Sequence, residues 1–563
     1  MVRKALIFVL ILIPFSQLAL LSVANRVHPI IIGSPFFHFW SLLWIAVTPL
    51  CSFLIYRAAE ETRRTGLMPA NITALIITAV IVLTVVCIGF IAGRDKSSRT
   101  SVEEWSVGGR RFGGLLVWFL VGADLYTAYT FLGLTSTAYT GGSVAFFAIP
   151  YSVLAYFIAY FFLPKLWKVA KIHKLTTLAD YARERFDSKL LASLVAIVGV
   201  LMLIPYICLQ LSGIQDTLQV AGTGVINVNM VVIISFILVA LYTFFSGIKG
   251  PTFTAIIKDI LVWVIMLFMV VSLPLIHFHG WTPMIHTLAE KAPQMLTIPD
   301  SGPKGIPWFI TASIVSALAL FMWAHAATGV FTAKSADAVR KNSMFLPLYN
   351  IVLILVIFLG FIAFLVLPED TNPRLALLKL IQTSYGGVAQ GFAYSTIALA
   401  SLIPCSIMAI GASNLFANNL YRDLIHPNVS PSKLTMITRS MVFVVIGLAL
   451  LFGMLFPTAL VTLQLLGVSG MVQIFPAIAV SLFWKNQTKE ATIIGLLVGL
   501  IVTFTVNITQ SAHGIYEGFW GLTANMATVI ILNPFFVKKA ASNAVKDGLF
   551  NKAPSDQLNQ KGA

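Results

Sequence analysis

An all-α integral membrane protein is the fold class that the sequence predicts, and three observations predict it. Hydrophobic residues make up 58% of the 563 positions and charged residues only 10%, with a mean hydropathy of +0.90. A water-soluble chain of this length needs far more charge to cover its surface. The apolar residues gather into runs of about 20, the length that crosses the hydrocarbon core of a bilayer. The Lys and Arg residues fall in short clusters between those runs, the pattern of cytoplasmic loops, and not on one basic domain. The net charge of +16 therefore reflects membrane topology and gives no ground for nucleic-acid binding.

About fifteen transmembrane helices are expected. They lie near 4–23, 36–56, 70–93, 113–136, 144–163, 190–215, 228–247, 255–276, 307–330, 345–367, 389–418, 437–456, 459–483, 491–508 and 517–536. The first follows Arg3 and Lys4 as a signal peptide would. Val27-His28-Pro29 offers no small-residue cleavage site, so the segment is read as a retained helix. Seven Lys and Arg residues from Lys165 to Lys189 place the 164–189 loop in the cytoplasm, and later loops alternate accordingly. The 57–69 loop, with Arg57, Arg63 and Arg64, then falls outside against the rule, or else one early segment does not fully span. Three units are expected: a two-helix membrane segment at 1–60, a transporter domain at 70–537 and a polar cytoplasmic tail at 538–563. Cys51, Cys87, Cys208 and Cys405 lie within apolar runs, without metal or disulfide spacing. No phosphate loop, zinc spacing or Ser/His/Asp set stands outside the membrane, so neither an enzyme nor a cofactor is expected.

Ionisable residues at membrane depth are expensive and therefore mark function. In GADLYTAYTFLG, Gly122 to Gly133, Asp124 lies about ten residues into a span. Gly122, Thr127 and Thr130 favour local unwinding there, which is tolerated only where the backbone lines a cavity. Asp124 is read either as a functional carboxylate or as an internal helix cap. His325, in FMWAHAATG, is either a structural histidine or a proton carrier, since the free side chain titrates near neutrality. In SGIKGPTFTAIIKDI, Gly247, Gly250 and Pro251 read as a cytoplasmic turn and break. Lys258 and Asp259 follow as a structural or gating pair near the interface, with Lys258 snorkelling to water. In SLIPCS, Pro404 removes a backbone donor and frees the Ala400 carbonyl, either as a plain kink or as part of a site.

Together these stretches resemble the sodium:solute symporter family over residues 70 to 510. EEWSVGGRRFGG, GADLYTAYTFLG, LIPYICLQLSG, SGIKGPTFTAIIKD, the WAH of Trp323 to His325 and NLFANNLYRDL follow the family's order and spacing. SGIKGP ahead of Lys258-Asp259, and HAATGVFTAKS ahead of RKN, are more similar to its monocarboxylate permease branch. The first two spans resemble a small two-helix membrane protein that accompanies such permeases, here fused. The resemblance implies a LeuT-like core of two five-helix inverted repeats over about 113–483, with the substrate between broken helices. It also implies alternating access, a cell-membrane location and a small organic acid (pyruvate, lactate, acetate or propionate) as the solute.

In the family's sodium-coupled branches one cation site uses carbonyls that map to Gly122, Leu125 and Ala400. Its two hydroxyl positions map to Ile403 and Pro404, which have no side-chain oxygen. Either Ser401 or Ser406 rebuilds the sodium site, or the site is lost and protons take over, with Asp124 or His325 as carrier. The coupling ion is thus H+ or Na+. Tyr126, Thr127 and Gln210 are candidate donors to the substrate. No arginine stands at mid-depth, which favours neutral donors and helix ends. The alternatives are a sodium-coupled symporter of another solute, such as an amino acid, and a solute sensor without transport.

Overall fold

The computed structural model describes residues 30–31, 34–35, 70–93, 101–222, 228–456 and 460–540. The expected spans at 4–23 and 36–56, the 57–69 loop and the tail beyond 540 lie outside them. Two short strands, β1 (Ile30–Ile31) and β2 (Ser34–Pro35), pair antiparallel. The remaining elements are helical.

In chain order they are α1 (Ala70–Ala92), α2 (Val102–Val107), α3 (Gly114–Ala123), α4 (Thr135–Gly141), α5 (Ala148–Ile172), α6 (Leu178–Phe186) and α7 (Lys189–Ala221). Next come α8 (Val228–Ser246), α9 (Lys249–Phe278), α10 (Trp281–Lys291), α11 (Ile306–Ala319), α12 (Ala324–Phe331), α13 (Ala336–Phe345) and α14 (Asn350–Val366). The last are α15 (Ala376–Ser384), α16 (Gly387–Leu415), α17 (Pro431–Leu455), α18 (Leu460–Met471), α19 (Phe475–Ile478), α20 (Lys489–Ile508) and α21 (Glu517–Ala540). Among the described residues ten helical stretches are long and apolar enough to cross a membrane, or eleven with α11 and α12 counted as one bent span. The expected number of fifteen is not reached among them.

α16 sits at the centre. It packs against α7, α1, α9 and α17, and the apolar stretch of its span is buried on every side. Its sequence explains this, because Gly, Ala and Ser recur along it. Small residues let helices approach closely where lipid removes the hydrophobic drive between them. A Cβ on Gly391 would stand 2.6 Å from Ile77 Cβ of α1, and one on Gly411 would stand 2.9 Å from the backbone nitrogen of His325. α20 and α21 pair with each other.

The segment after α5 is tied to the end of α16 by polar groups. Thr177 and Asp180 form a capping box at the start of α6. Asp180 accepts hydrogen bonds from the backbone N–H of Thr176 and Thr177 at 3.0 and 3.1 Å. The NLFANNLYRD motif, wound as a π-helix over Phe416–Ile425, reaches across to this box. Asn419 donates to Asp180 at 2.8 Å, and Asn414 donates to the Thr176 carbonyl at 3.1 Å. Arg183 pairs with both oxygens of Asp423 at 2.8 Å. Asp180→Ala strands the Thr176 and Thr177 N–H groups and the Asn419 amide at once. It is expected to cost about 2–4 kcal/mol, measured as a lower thermal midpoint of the detergent-solubilised protein.

Candidate functional site

The first core helix breaks in its middle. α3 ends at Ala123, residues 124–127 are not helical, and the chain resumes through a π-helical turn at Tyr129–Leu134 into α4. Local bonds hold the break open. The Gly122 carbonyl accepts from the Leu125 N–H at 2.9 Å, and the Thr130 hydroxyl donates to the Leu125 carbonyl at 2.5 Å. The Ala128 N–H, which starts the second half, donates to Gln210 Oε1 of α7 at 2.8 Å.

Two further carbonyls of the break are satisfied from α9. Lys258 Nζ donates to the Ala123 carbonyl at 2.9 Å and to the Tyr126 carbonyl at 3.2 Å. It also forms an ion pair with Asp259 Oδ1 at 3.0 Å. Tyr349 Oη donates to Asp259 Oδ2 at 2.6 Å, and Tyr126 Oη donates to the Tyr349 carbonyl at 3.0 Å. The expected position of the Lys258–Asp259 pair is therefore corrected. Their side chains are 0% and 1% exposed, so Lys258 does not snorkel. The reason is where the helix begins. Gly250 and Pro251 do not break it, because α9 starts at Lys249 and Pro251 lies in its first turn. A proline costs nothing there, since its missing N–H has no intrahelical partner in any case. Lys258 is thereby carried about 14 Å along the helix from Lys249.

A second break lies between α11 and α12. Trp323 is extended (φ −64°, ψ 133°) and the two helices bend by 52°. His325 follows the break, with ring centroids 5.8 Å from both Tyr206 and Trp323, while Tyr206 and Trp323 are 5.3 Å apart. α12 lies along α3, and a Cβ on Gly329 would stand 3.2 Å from Val121. Around the two breaks, Asp124 Oδ1 and Oδ2, Gln210 Nε2 and His325 Nδ1 are buried without a hydrogen-bond partner. Thr127 lies against Tyr206.

SLIPCS turns out to break nothing. α16 runs unbroken through Pro404 as a 29-residue helix. In a helix packed on all sides, neighbouring segments hold the strand of backbone that the proline leaves one bond short. Ile403 and Pro404 are buried and offer no side-chain oxygen. Ser401 Oγ donates to the Ile397 carbonyl at 2.9 Å, and Ser406 Oγ lies 2.8 Å from Thr243 Oγ1 of α8. Gly213 of α7 links the stretch to the first break. A Cβ there would meet Ala128 Cβ and Ser401 Oγ, each at 2.6 Å. Ala400 is likewise buried on α16.

The structure thus brings Asp124, Lys258, Asp259, Tyr126, Thr127 and Gln210 together at the first break and sets His325 at the second. Tyr126 is not free to serve a substrate through its hydroxyl, which is committed to Tyr349. Tyr206, Trp323 and Tyr349 were missed in the sequence. Aromatic residues inside apolar spans carry no local sign of which ones line a break.

Two discontinuous helices packed in a helical membrane core, with unpartnered polar groups between them, define a secondary transporter. The profile of the sodium:solute symporter family matches residues 105–499, and the chain belongs to that family. It is accordingly a cation-coupled symporter and not an enzyme, a multi-pass protein of the cell membrane. Residues 9–66 match a second profile, described as a protein of unknown function (DUF3311). The uncharacterized symporter YodF of Bacillus subtilis (strain 168) is 91% identical over 496 residues, 88% of this chain and all of that protein. The monocarboxylate transport permease protein of Rhizobium johnstonii is 32% identical, over 84% of this chain and 99% of that protein. In fold the chain resembles a Na+-coupled sialic acid symporter solved in a substrate-bound outward-open state. The TM-score is 0.72 at 18% identity, covering 82% of this chain and 98% of the other. The LeuT-like architecture expected from the resemblance is thus present.

Proposed function

We propose that this symporter carries small monocarboxylates such as pyruvate, lactate, acetate or propionate. The carrying observation is the Gln210 amide. Its oxygen is fixed by the Ala128 N–H, which leaves the buried Nε2 hydrogens as unpaired donors beside the start of a half-helix. A carboxylate suits such a place, because the half-helix N-terminus and the amide together supply positive potential without a full charge. Thr127 adds a hydroxyl, and Tyr206 and Trp323 supply apolar walls that fit a short acid. The 32% identity to a monocarboxylate permease supports the same substrate class. Protons are favoured over sodium as the coupling ion. The carbonyls at Gly122, Ala123, Leu125 and Tyr126 all have protein donors, whereas the Asp124 carboxylate has none. The chain is divided into the 1–60 membrane segment, the 70–537 transporter with its core over about 113–483, and the 538–563 tail.

The test is uptake of labelled pyruvate into proteoliposomes under an inward proton gradient and, separately, a sodium gradient. Uptake driven by protons alone is expected. Gln210→Leu is expected to raise the KM about 10- to 100-fold, the worth of a hydrogen bond to a charged group. An unchanged KM removes Gln210 from the substrate site, and no uptake of any short acid refutes the substrate class.

A further inference from the structure

Unwound backbone at membrane depth exposes carbonyl oxygens, and such carbonyls are natural ligands for a cation. Here the cation on them belongs to the chain. The Lys258 ammonium, fully buried, donates to the carbonyls of Ala123 and Tyr126 and closes its coordination on Asp259. Tyr349 holds Asp259 from the far side, and Tyr126 Oη returns to the Tyr349 carbonyl, so the ammonium is fixed on both sides of the break. We infer that Lys258 is a tethered cation resident on the broken first helix, held on the Ala123 and Tyr126 carbonyls, each one residue beyond the Gly122 and Leu125 positions that the resemblance assigns to a sodium ion.

Charge counting gives the rest. The charged groups that face Asp124 are Lys258 and Asp259 on α9, and its titratable neighbours are Tyr156 on α5 and Tyr206 on α7. With the tyrosines neutral and the three charged groups ionised, one negative charge is left in excess. Lys258 is matched by Asp259, and Asp124 is the carboxylate without a partner. The single transported positive charge is therefore taken at Asp124. Because Lys258 holds the neighbouring carbonyls, that charge is a proton, since a sodium ion requires several hard oxygen ligands at once. This inference rests on the reading of the chain as a cation-coupled symporter and explains how a member of a sodium-coupled family dispenses with sodium at this place.

A lysine that merely staples the break predicts no ion specificity, and this separates the two roles. The full chain is purified in detergent and its heat unfolding compared in sodium chloride and in choline chloride at equal ionic strength. The wild type is expected to unfold at the same temperature in both. Lys258→Ala vacates the carbonyls and leaves Asp259 uncompensated, so it is expected to gain a sodium-specific rise of about 3 °C or more, as for any ion that binds only the folded state. Lys258→Ala with Asp259→Asn is expected to lose that rise. A sodium-specific rise of this size in the wild type overturns the inference, as does a folded Lys258→Ala protein indifferent to the salt. If Lys258→Ala yields no folded protein, the same comparison is made on Lys258→Ser, and a folded Lys258→Ser protein indifferent to the salt overturns the inference as well. Pyruvate uptake by the wild type is scored separately. Its absence beside a sodium-sensitive Lys258→Ala refutes the substrate and leaves the tethered cation standing.

Discussion

Asp124→Asn is expected to cut gradient-driven uptake about 100-fold, the upper end of a typical coupling free energy between two sites. The argument starts from what the mutation leaves alone. Both Asp124 oxygens are buried and accept no hydrogen bond, so an isosteric amide breaks no existing contact. The break itself is held by Lys258, Thr130 and Gln210 through backbone groups that Asp124 does not supply. Membrane insertion and thermal midpoint are therefore expected to stay close to the wild type. What disappears is the one carboxylate that lacks a counter-charge. Solute exchange across proteoliposomes without any imposed gradient is expected to persist, because it needs the substrate site and no net movement of the coupling charge. Loss of accumulation with retained exchange supports this role. Normal accumulation in Asp124→Asn removes the residue from the mechanism.

Gly122→Ala is expected to abolish uptake and to cost about 1–3 kcal/mol of stability, the range for forcing extra volume into a packed core. A Cβ at this position would stand 2.0 Å from Tyr349 Cζ and 2.5 Å from its Oη. The tyrosine ring cannot simply move aside. It packs against Trp118 at 4.8 Å and Tyr126 at 4.6 Å between ring centroids, and its hydroxyl is spent on Asp259. Displacing it frees Asp259, and with it the Lys258 ammonium that holds the broken helix. Tyr349→Ala makes room for the methyl group. The double variant Gly122→Ala with Tyr349→Ala is therefore expected to be more stable than the sum of the single changes allows, a coupling read directly from thermal unfolding. Strict additivity disproves the contact as the cause. Uptake is expected to stay low in the double variant, because Asp259 still lacks its partner.

Much of the architecture was legible in the residues themselves. Few charges, long apolar runs and basic clusters between them specify helices in lipid, since an unpaired backbone group in hydrocarbon leaves a chain few other ways to cross. The break at Asp124 was legible too, because a carboxylate beside Gly122 and threonines sits badly in an apolar helix. SLIPCS left its two readings open for the converse reason. Proline carries the same local signal whether or not its helix bends, and dense packing around α16 keeps this one continuous. Lys258 misled because Gly250-Pro251 looks like a break yet serves as a first turn.

What the sequence by itself determined is therefore the solvent, the helical class, the order of the family motifs and the carboxylate of Asp124 at depth. These rest on composition and on spacing within a single segment. The tertiary structure alone decided which donor meets which carbonyl. Lys258 reaches Ala123 across 135 positions of the chain, and Tyr126 reaches Tyr349 across 223. No local pattern encodes such pairings. They follow from helix register and from which faces the packed core turns toward one another, and at this site they decide whether the cation on the broken helix is free or belongs to the protein.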